Sequence, residues 1–357
     1  MAKGRRVWAV PAAIALACLM LAAPAAAAGP PVGSFTPGVV EPPPPGRSLD
    51  GDVVLQAPAT AVSSALQGAP DVERMATADG YTVIVETSPQ YEPDLGYDEE
   101  LVAFLDSLLH GAELDRLHVY VAVPSEMRSR CGGAAAACYL PQANTITIVG
   151  QESYAGLPTS YAVAHEYGHR VESARRNPPF PGGALAWGTK RWASVEHVCQ
   201  GTLNGIYAPG DEGKYYFSNP GEAFAESFAW YHYGHSVLDW RWDGRLRPNA
   251  AAYAAIRADV LEPWRPTVTE ASGDLARRGA RKSYPVRPEN DGWVQVQTHG
   301  SGDVDIGLYK GNDLVAESAH DGSTESINYV ACGEHKLKLV VFAYHAQSRY
   351  ELTLKTP

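Results

Sequence analysis

Two histidines separated by Glu-Tyr-Gly form the stretch His165-Glu166-Tyr167-Gly168-His169. On an α-helix, residues four apart share a face, so both imidazoles can address one metal ion while Glu166 lies beside them. That donor set suits Zn2+, which accepts histidine nitrogens and keeps a position open for water in hydrolytic sites. Zinc lowers the pKa of such a water to about neutral, and a nearby carboxylate takes its proton as it attacks a carbonyl. The chain has 11 histidines, so a chance match of this kind on a solvent-facing helix has odds on the order of a few per cent.

A third protein ligand is needed. A histidine reached through a glycine three positions past His169 is excluded, because that position is Glu172. The better candidate lies in the later stretch SNPGEAFAESFAWYHYG, where Glu222 and Glu226 are four apart on one helical face. One carboxylate would bind zinc and the other would orient a ligand histidine. Glu222 also has a purely structural use. With Asn219 as N-cap and Pro220 in the first turn it completes a capping box.

HEYGH followed by EAFAESF resembles the catalytic domain of anthrax lethal factor and its relatives, which are gluzincin-type zinc metallopeptidases. The resemblance covers about Tyr161 to His232. It implies an α+β zincin-like metallopeptidase domain acting on a protein or peptide substrate. In this likeness Glu222 is the third zinc ligand and Glu226 supports a ligand histidine. A tyrosine seven residues before the ligand glutamate stabilises the oxyanion, which points to Tyr215. Tyr216 is adjacent, and a slip of one residue leaves both open.

The elements that must carry these residues are legible around them. Helical spacing spans Thr159 to Arg175 and is ended by Pro178, Pro179 and Pro181, and a second helix runs from Pro220 to about Tyr233. Upstream, Tyr81–Glu86, Leu117–Val123 and Thr145–Val149 read as strands, with a helix over Tyr97–Leu109. After Pro266 the basic residues Arg277, Arg278, Arg281 and Lys282 read as a hinge. Beyond it, alternating pairs such as Val294 and Val296, Ile306 and Leu308, and Leu352 and Leu354 predict an all-β sandwich starting near Asp274. Its GSGDVDIGLYKG and SRYELTL segments resemble the bacterial pre-peptidase C-terminal domain, a frequent companion of secreted peptidases. Asp303 and Asp305 read as turn residues, since two carboxylates fall short of a calcium shell.

The chain opens with Lys3, Arg5 and Arg6, continues through an apolar stretch and reaches Ala26-Ala27-Ala28, so residues 1–28 are expected to be a signal peptide. Residues 29–79, rich in Pro and Ala, read as a linker or pro-region. A zinc metallopeptidase domain over 80–273 and the sandwich over 274–357 complete the division. Of 5 cysteines, Cys18 falls in the signal, leaving four for an oxidising compartment. Cys131 and Cys138 flank a short loop and should pair, while Cys199 and Cys332 bridge two domains or stay free. A formal charge of -11 gives no reason to expect nucleic acid as a partner, nor a membrane after signal cleavage. The sequence thus predicts a secreted zinc-dependent peptidase with Glu166 as general base. Its rivals are a non-catalytic secreted binding protein with a residual or structural zinc site, and a zinc hydrolase acting on a non-protein amide or ester.

Overall fold

The computed structural model describes residues 71–357 apart from 93, 133–134, 176–182, 212, 234–239 and 346. The expected signal peptide and residues 29–70 lie outside the described residues.

Strands β1 (Asp71–Ala76), β2 (Thr82–Thr87), β3 (Leu117–Ala122), β4 (Cys138–Leu140) and β5 (Thr145–Val149) form one sheet in the order β1-β2-β3-β5-β4. Its centre, β2-β3-β5, is parallel, and both edge strands run antiparallel to their neighbours. A parallel pair needs a crossover, and α1 (Leu95–Ser107) supplies it between β2 and β3. The pleat of β3 serves two cores. Leu117, Val119 and Val121 face the main helical side, while Tyr120 and Ala122 pack with Met127 and Cys131 of α2 (Met127–Cys131) on the other. A bond between Cys131 and Cys138 ties α2 to the start of the edge strand β4.

A short strand pair, β6 (Ser153–Tyr154) and β7 (Leu157–Pro158), leads into α3 (Thr159–Ala174). Four short or capped helices follow it, α4 (Ala184–Trp187), α5 (Lys190–Val195), α6 (Val198–Leu203) and α7 (Pro220–Tyr233), and α8 (Ala250–Leu261) closes the helical side. Tyr161, Val163, Tyr167 and Val171 of α3 share the main core with Phe224 and Phe228 of α7 and with Leu101, Phe104 and Leu105 of α1. The first part of the chain is therefore mixed α/β.

The C-terminal part is β-sandwich-like, with two four-stranded antiparallel sheets. One contains β8 (Thr267–Leu275), β10 (Gly292–Ser301), β13 (Glu325–Ala331) and β15 (Ser348–Thr356) in the order β13-β10-β15-β8. The other contains β9 (Arg281–Val286), β11 (Val304–Lys310), β12 (Asp313–Ser318) and β14 (Leu337–Ala343) in the order β12-β11-β14-β9. Val294, Val296, Ile306, Leu308, Leu339, Val341, Leu352 and Leu354 fill the space between them. The two parts are stitched together at one place. Cys199 of α6 bonds Cys332, and the Asp291 amide donates to Ser194 Oγ of α5 at 2.9 Å.

Three boundaries differ from expectation. The first described strand starts at Asp71, ahead of Gly80 and inside the segment read as linker, and β1 pairs along its full length with β2. Its own side chains are at best half-buried, so no apolar alternation marks it. The sandwich begins at Thr267 rather than Asp274. Strand β8 buries only Leu275 and is held by its backbone ladder to β15. The basic hinge does not exist as such, since Arg281 and Lys282 belong to β9 and pair with Phe342 and Val341 of β14.

Candidate metal centre

Helix α3 presents His165 and His169 one turn apart, and α7 crosses it with Glu222 in its first turn. His165 Nε2 lies 3.4 Å from Glu222 Oε2, and His169 Nε2 lies 3.4 Å from Glu222 Oε1. The two imidazole rings stand nearly perpendicular with centroids 5.0 Å apart. All three side chains are buried. Ligands about 2.0 Å from a tetrahedral ion sit about 3.3 Å from one another, so the donor spacing already matches one. Among the described residues this is one of three groups able to hold a metal ion. His169 Nε2, although buried, makes no hydrogen bond of proper geometry, as fits an atom reserved for a metal.

Glycine makes the helix crossing possible. A Cβ on Gly168 would come within 2.8 Å of Ala225 Cα, so α3 and α7 touch backbone to backbone between the ligands. The start of α7 is set the same way, since a Cβ on Gly221 would lie 2.1 Å from the Leu185 carbonyl oxygen of α4. Asn219 Oδ1 accepts from the Gly221 amide at 3.1 Å and is the N-cap. The capping box is not completed by Glu222, however. The Asn219 amide donates to the Tyr216 carbonyl, and the Glu222 carboxylate faces the histidines.

Each histidine is oriented from behind by its own carboxylate. His165 Nδ1 donates to Glu226 Oε2 at 3.2 Å. His169 Nδ1 donates to Glu172 Oε2 at 2.8 Å. A carboxylate on Nδ1 fixes the tautomer that turns Nε2 toward a metal. Glu226, fully buried, also accepts from Tyr161 Oη and from Trp230 Nε1, the latter at 2.8 Å. Sequence reading missed Glu172, Tyr161 and Trp230, yet helical spacing held the signal. Glu172 lies three past His169, Tyr161 four before His165, and Trp230 four past Glu226. Glu172→Gln is expected to weaken metal binding by about 10–100-fold, measured by competition with a chelating dye.

Tyr216, rather than Tyr215, reaches the centre. Its hydroxyl donates to Glu222 Oε2 at 2.7 Å and the side chain is buried, whereas Tyr215 is 49% exposed. Tyr216 opens the 3-10 turn Tyr216–Ser218 just before α7, whereas Tyr215, the position seven before Glu222, precedes that turn.

The electrostatics are those of a paired, dry cluster. Burial alone disfavours a charged His165, but its hydrogen bonds to Glu222 and Glu226 outweigh that and pull its pKa up to about 9. His169 is likewise raised, against its own desolvation, by the Glu222 charge and the Glu172 hydrogen bond. Glu222 is driven below the usual carboxylate range, because the two histidines overcome the effect of burial. Burial pushes Glu172 up to about 8. Glu166 is also raised by burial, opposed by the two histidines and by the hydrogen bond from the Tyr139 amide of edge strand β4. The arrangement can hold a divalent ion by two nitrogens and a carboxylate, with a second, more basic carboxylate alongside.

No protein-family model and no curated protein matches the chain. Solved structures that it resembles in part include the pre-peptidase C-terminal domain of a collagenase from Bacillus anthracis, at 17% identity over 24% of this chain and 87% of that one, with a TM-score of 0.21. A periplasmic inhibitor of g-type lysozyme from Aeromonas hydrophila matches at 11% identity, over 25% of this chain and 85% of that one, with a TM-score of 0.22. The Yersinia pseudotuberculosis-derived mitogen matches at 12% identity, over 26% and 87%, with a TM-score of 0.21. These partial likenesses identify no family for the chain.

Proposed function

We propose that this chain is a secreted zinc-dependent metallopeptidase of the gluzincin type, its first domain zincin-like and its active site the crossing of α3 and α7. One observation carries the reading. His165 Nε2, His169 Nε2 and Glu222 converge at a spacing that fits a zinc ion, with Glu166 buried beside them as a carboxylate no ligand set requires. The choice of zinc follows from two imidazole nitrogens and one carboxylate, each imidazole backed by a carboxylate on Nδ1. When bound, zinc supplies Lewis acidity and a water of near-neutral pKa.

The chain's own residues supply the rest. Glu166, made more basic by burial, accepts the proton of the attacking water and holds it until the leaving amine takes it. Tyr216 Oη, which donates to the ligand carboxylate of Glu222 at 2.7 Å, is placed to donate to the developing oxyanion. Edge strand β4 lies beside Glu166 through its Tyr139 amide. Export is supported by the two disulfides, which persist in oxidising compartments. Among the described residues no helix is long and apolar enough to cross a membrane.

The test is zinc content together with cleavage of a peptide library by the purified protein. About one bound zinc lost with activity to a chelator, and both restored by zinc, supports the reading. Absence of zinc binding at this centre overturns it. Tyr216→Phe is expected to lower kcat by about 10²–10³-fold with little change in KM, while Tyr215→Phe leaves both unchanged. Proton and metal compete for the His165 Nε2 lone pair. With the metal-free pKa at about 9, apparent zinc affinity should rise by about tenfold per pH unit for each proton displaced between neutral pH and that value. Calorimetry in buffers of different ionisation enthalpy reads the released proton.

A further inference from the structure

Away from α3 and α7, a second cluster of metal-ligating side chains closes the turn between β1 and β2 against the end of α1. We propose that Asp79, Asp106 and His110 form a second metal site, taking a first-row divalent cation such as Zn2+ or Mn2+. It rests on none of the residues of the candidate active site.

His110 Nδ1 lies 2.7 Å from the Leu108 carbonyl oxygen, which can only accept, so Nδ1 carries the proton. That is the support a ligand histidine ordinarily receives, and it leaves Nε2 as the free donor atom. Nε2 points at two carboxylate oxygens, Asp79 Oδ2 at 3.3 Å and Asp106 Oδ1 at 3.8 Å. The His110 side chain is only 7% exposed, and its Nε2 makes no hydrogen bond of proper geometry. Asp106 is held for the purpose as well. Its Oδ2 accepts from the Ala78 amide at 3.2 Å, while its buried Oδ1 makes no hydrogen bond.

Three electron-rich atoms within 4.8 Å of one another repel unless something positive lies among them. A proton on Nε2 serves at most one carboxylate, and Asp106 Oδ1 at 3.8 Å is beyond hydrogen-bond reach. A cation serves all three. The 3.3 Å separation of His110 and Asp79 equals the edge of a zinc tetrahedron, about 3.3 Å, and Asp106 closes by a small rotation. The imidazole in the set excludes Ca2+, which takes oxygen donors, and the two carboxylates exclude a soft, thiolate-seeking ion.

Bound there, the ion would pin the β1–β2 turn to the end of α1. The neighbouring Leu109 amide already donates to His232 Nε2 at 3.1 Å, which fastens the same loop to α7.

Metal content after dialysis, with calorimetric titration of Zn2+, Mn2+ and Ca2+ into the chelated protein, tests the site in the full chain and in Asp79→Asn and His110→Gln. The Asp79 side chain is 69% exposed, so Asp79→Asn stays folded even if His110→Gln does not. The expected result is one zinc fewer in Asp79→Asn than in the parent, zinc heats reduced by one site, and no calcium heat. A parent with one zinc and a variant with none would establish this site while sinking the candidate active site. Equal zinc content in parent and Asp79→Asn, whether one or two, overturns the proposal.

Discussion

Glu166→Gln is expected to cut kcat by about 10²–10⁴-fold while the protein keeps its zinc and its fold. Glu166 stands outside the trio of His165, His169 and Glu222, so its loss removes no metal donor. Glutamine has the same shape and can still accept from the Tyr139 amide. It also removes a buried negative charge, whose desolvation already pushes the glutamate pKa up, so thermal stability should hold or rise. That combination separates chemistry from collapse. Inactivity with unchanged zinc and an equal or higher Tm assigns Glu166 to proton transfer. Full activity in the variant would remove Glu166 from the mechanism, and loss of zinc would make it part of the ligand architecture instead.

Gly168→Ala is the second large effect, and its sign opposes what helix propensity forecasts. In an exposed helix interior, alanine for glycine gains about 0.5–1 kcal/mol. Here the new Cβ meets Ala225 Cα at 2.8 Å and Ala225 O at 3.2 Å, and backbone cannot rotate away as a side-chain tip can. Overpacking of this kind costs about 1–3 kcal/mol and outweighs the propensity gain, so the variant should be destabilised by up to about 2 kcal/mol net. Relief requires α3 and α7 to separate by a fraction of an ångström, which carries Glu222 away from both histidines. Zinc affinity should therefore fall alongside Tm, and chelator competition on the variant measures it. A variant more stable than the parent would mean the helices are not locked together at this point.

The legibility of this chain follows from where each feature's signal resides. HEYGH and EAFAESF were readable because the helix repeat places chemically distinctive residues on shared faces, and α3 and α7 end within a residue of the expected limits. Strands β10, β11, β14 and β15 were visible because alternate side chains enter the sandwich core. Strands β1 and β8 were not, since both are held by backbone pairing and bury little. The choice of Tyr216 over Tyr215 depended on a single 3-10 turn, which no periodicity announces. Glu172 stands where a third ligand histidine would follow His169, and a carboxylate at that position announces no metal by its own type. Yet buried one turn past the ligand, it is what holds that ligand's ring.

The bond between Cys199 and Cys332 has a consequence for how this protein comes apart. The mixed α/β part and the sandwich-like part are joined through the chain at residues 262–266, between α8 and β8, and a second time through sulfur. A protease that nicks the connecting segment would leave both pieces in one particle, running together on a non-reducing gel and separating only under reductant. The sandwich would therefore be released not by a cut but by a cut followed by a change of redox surroundings.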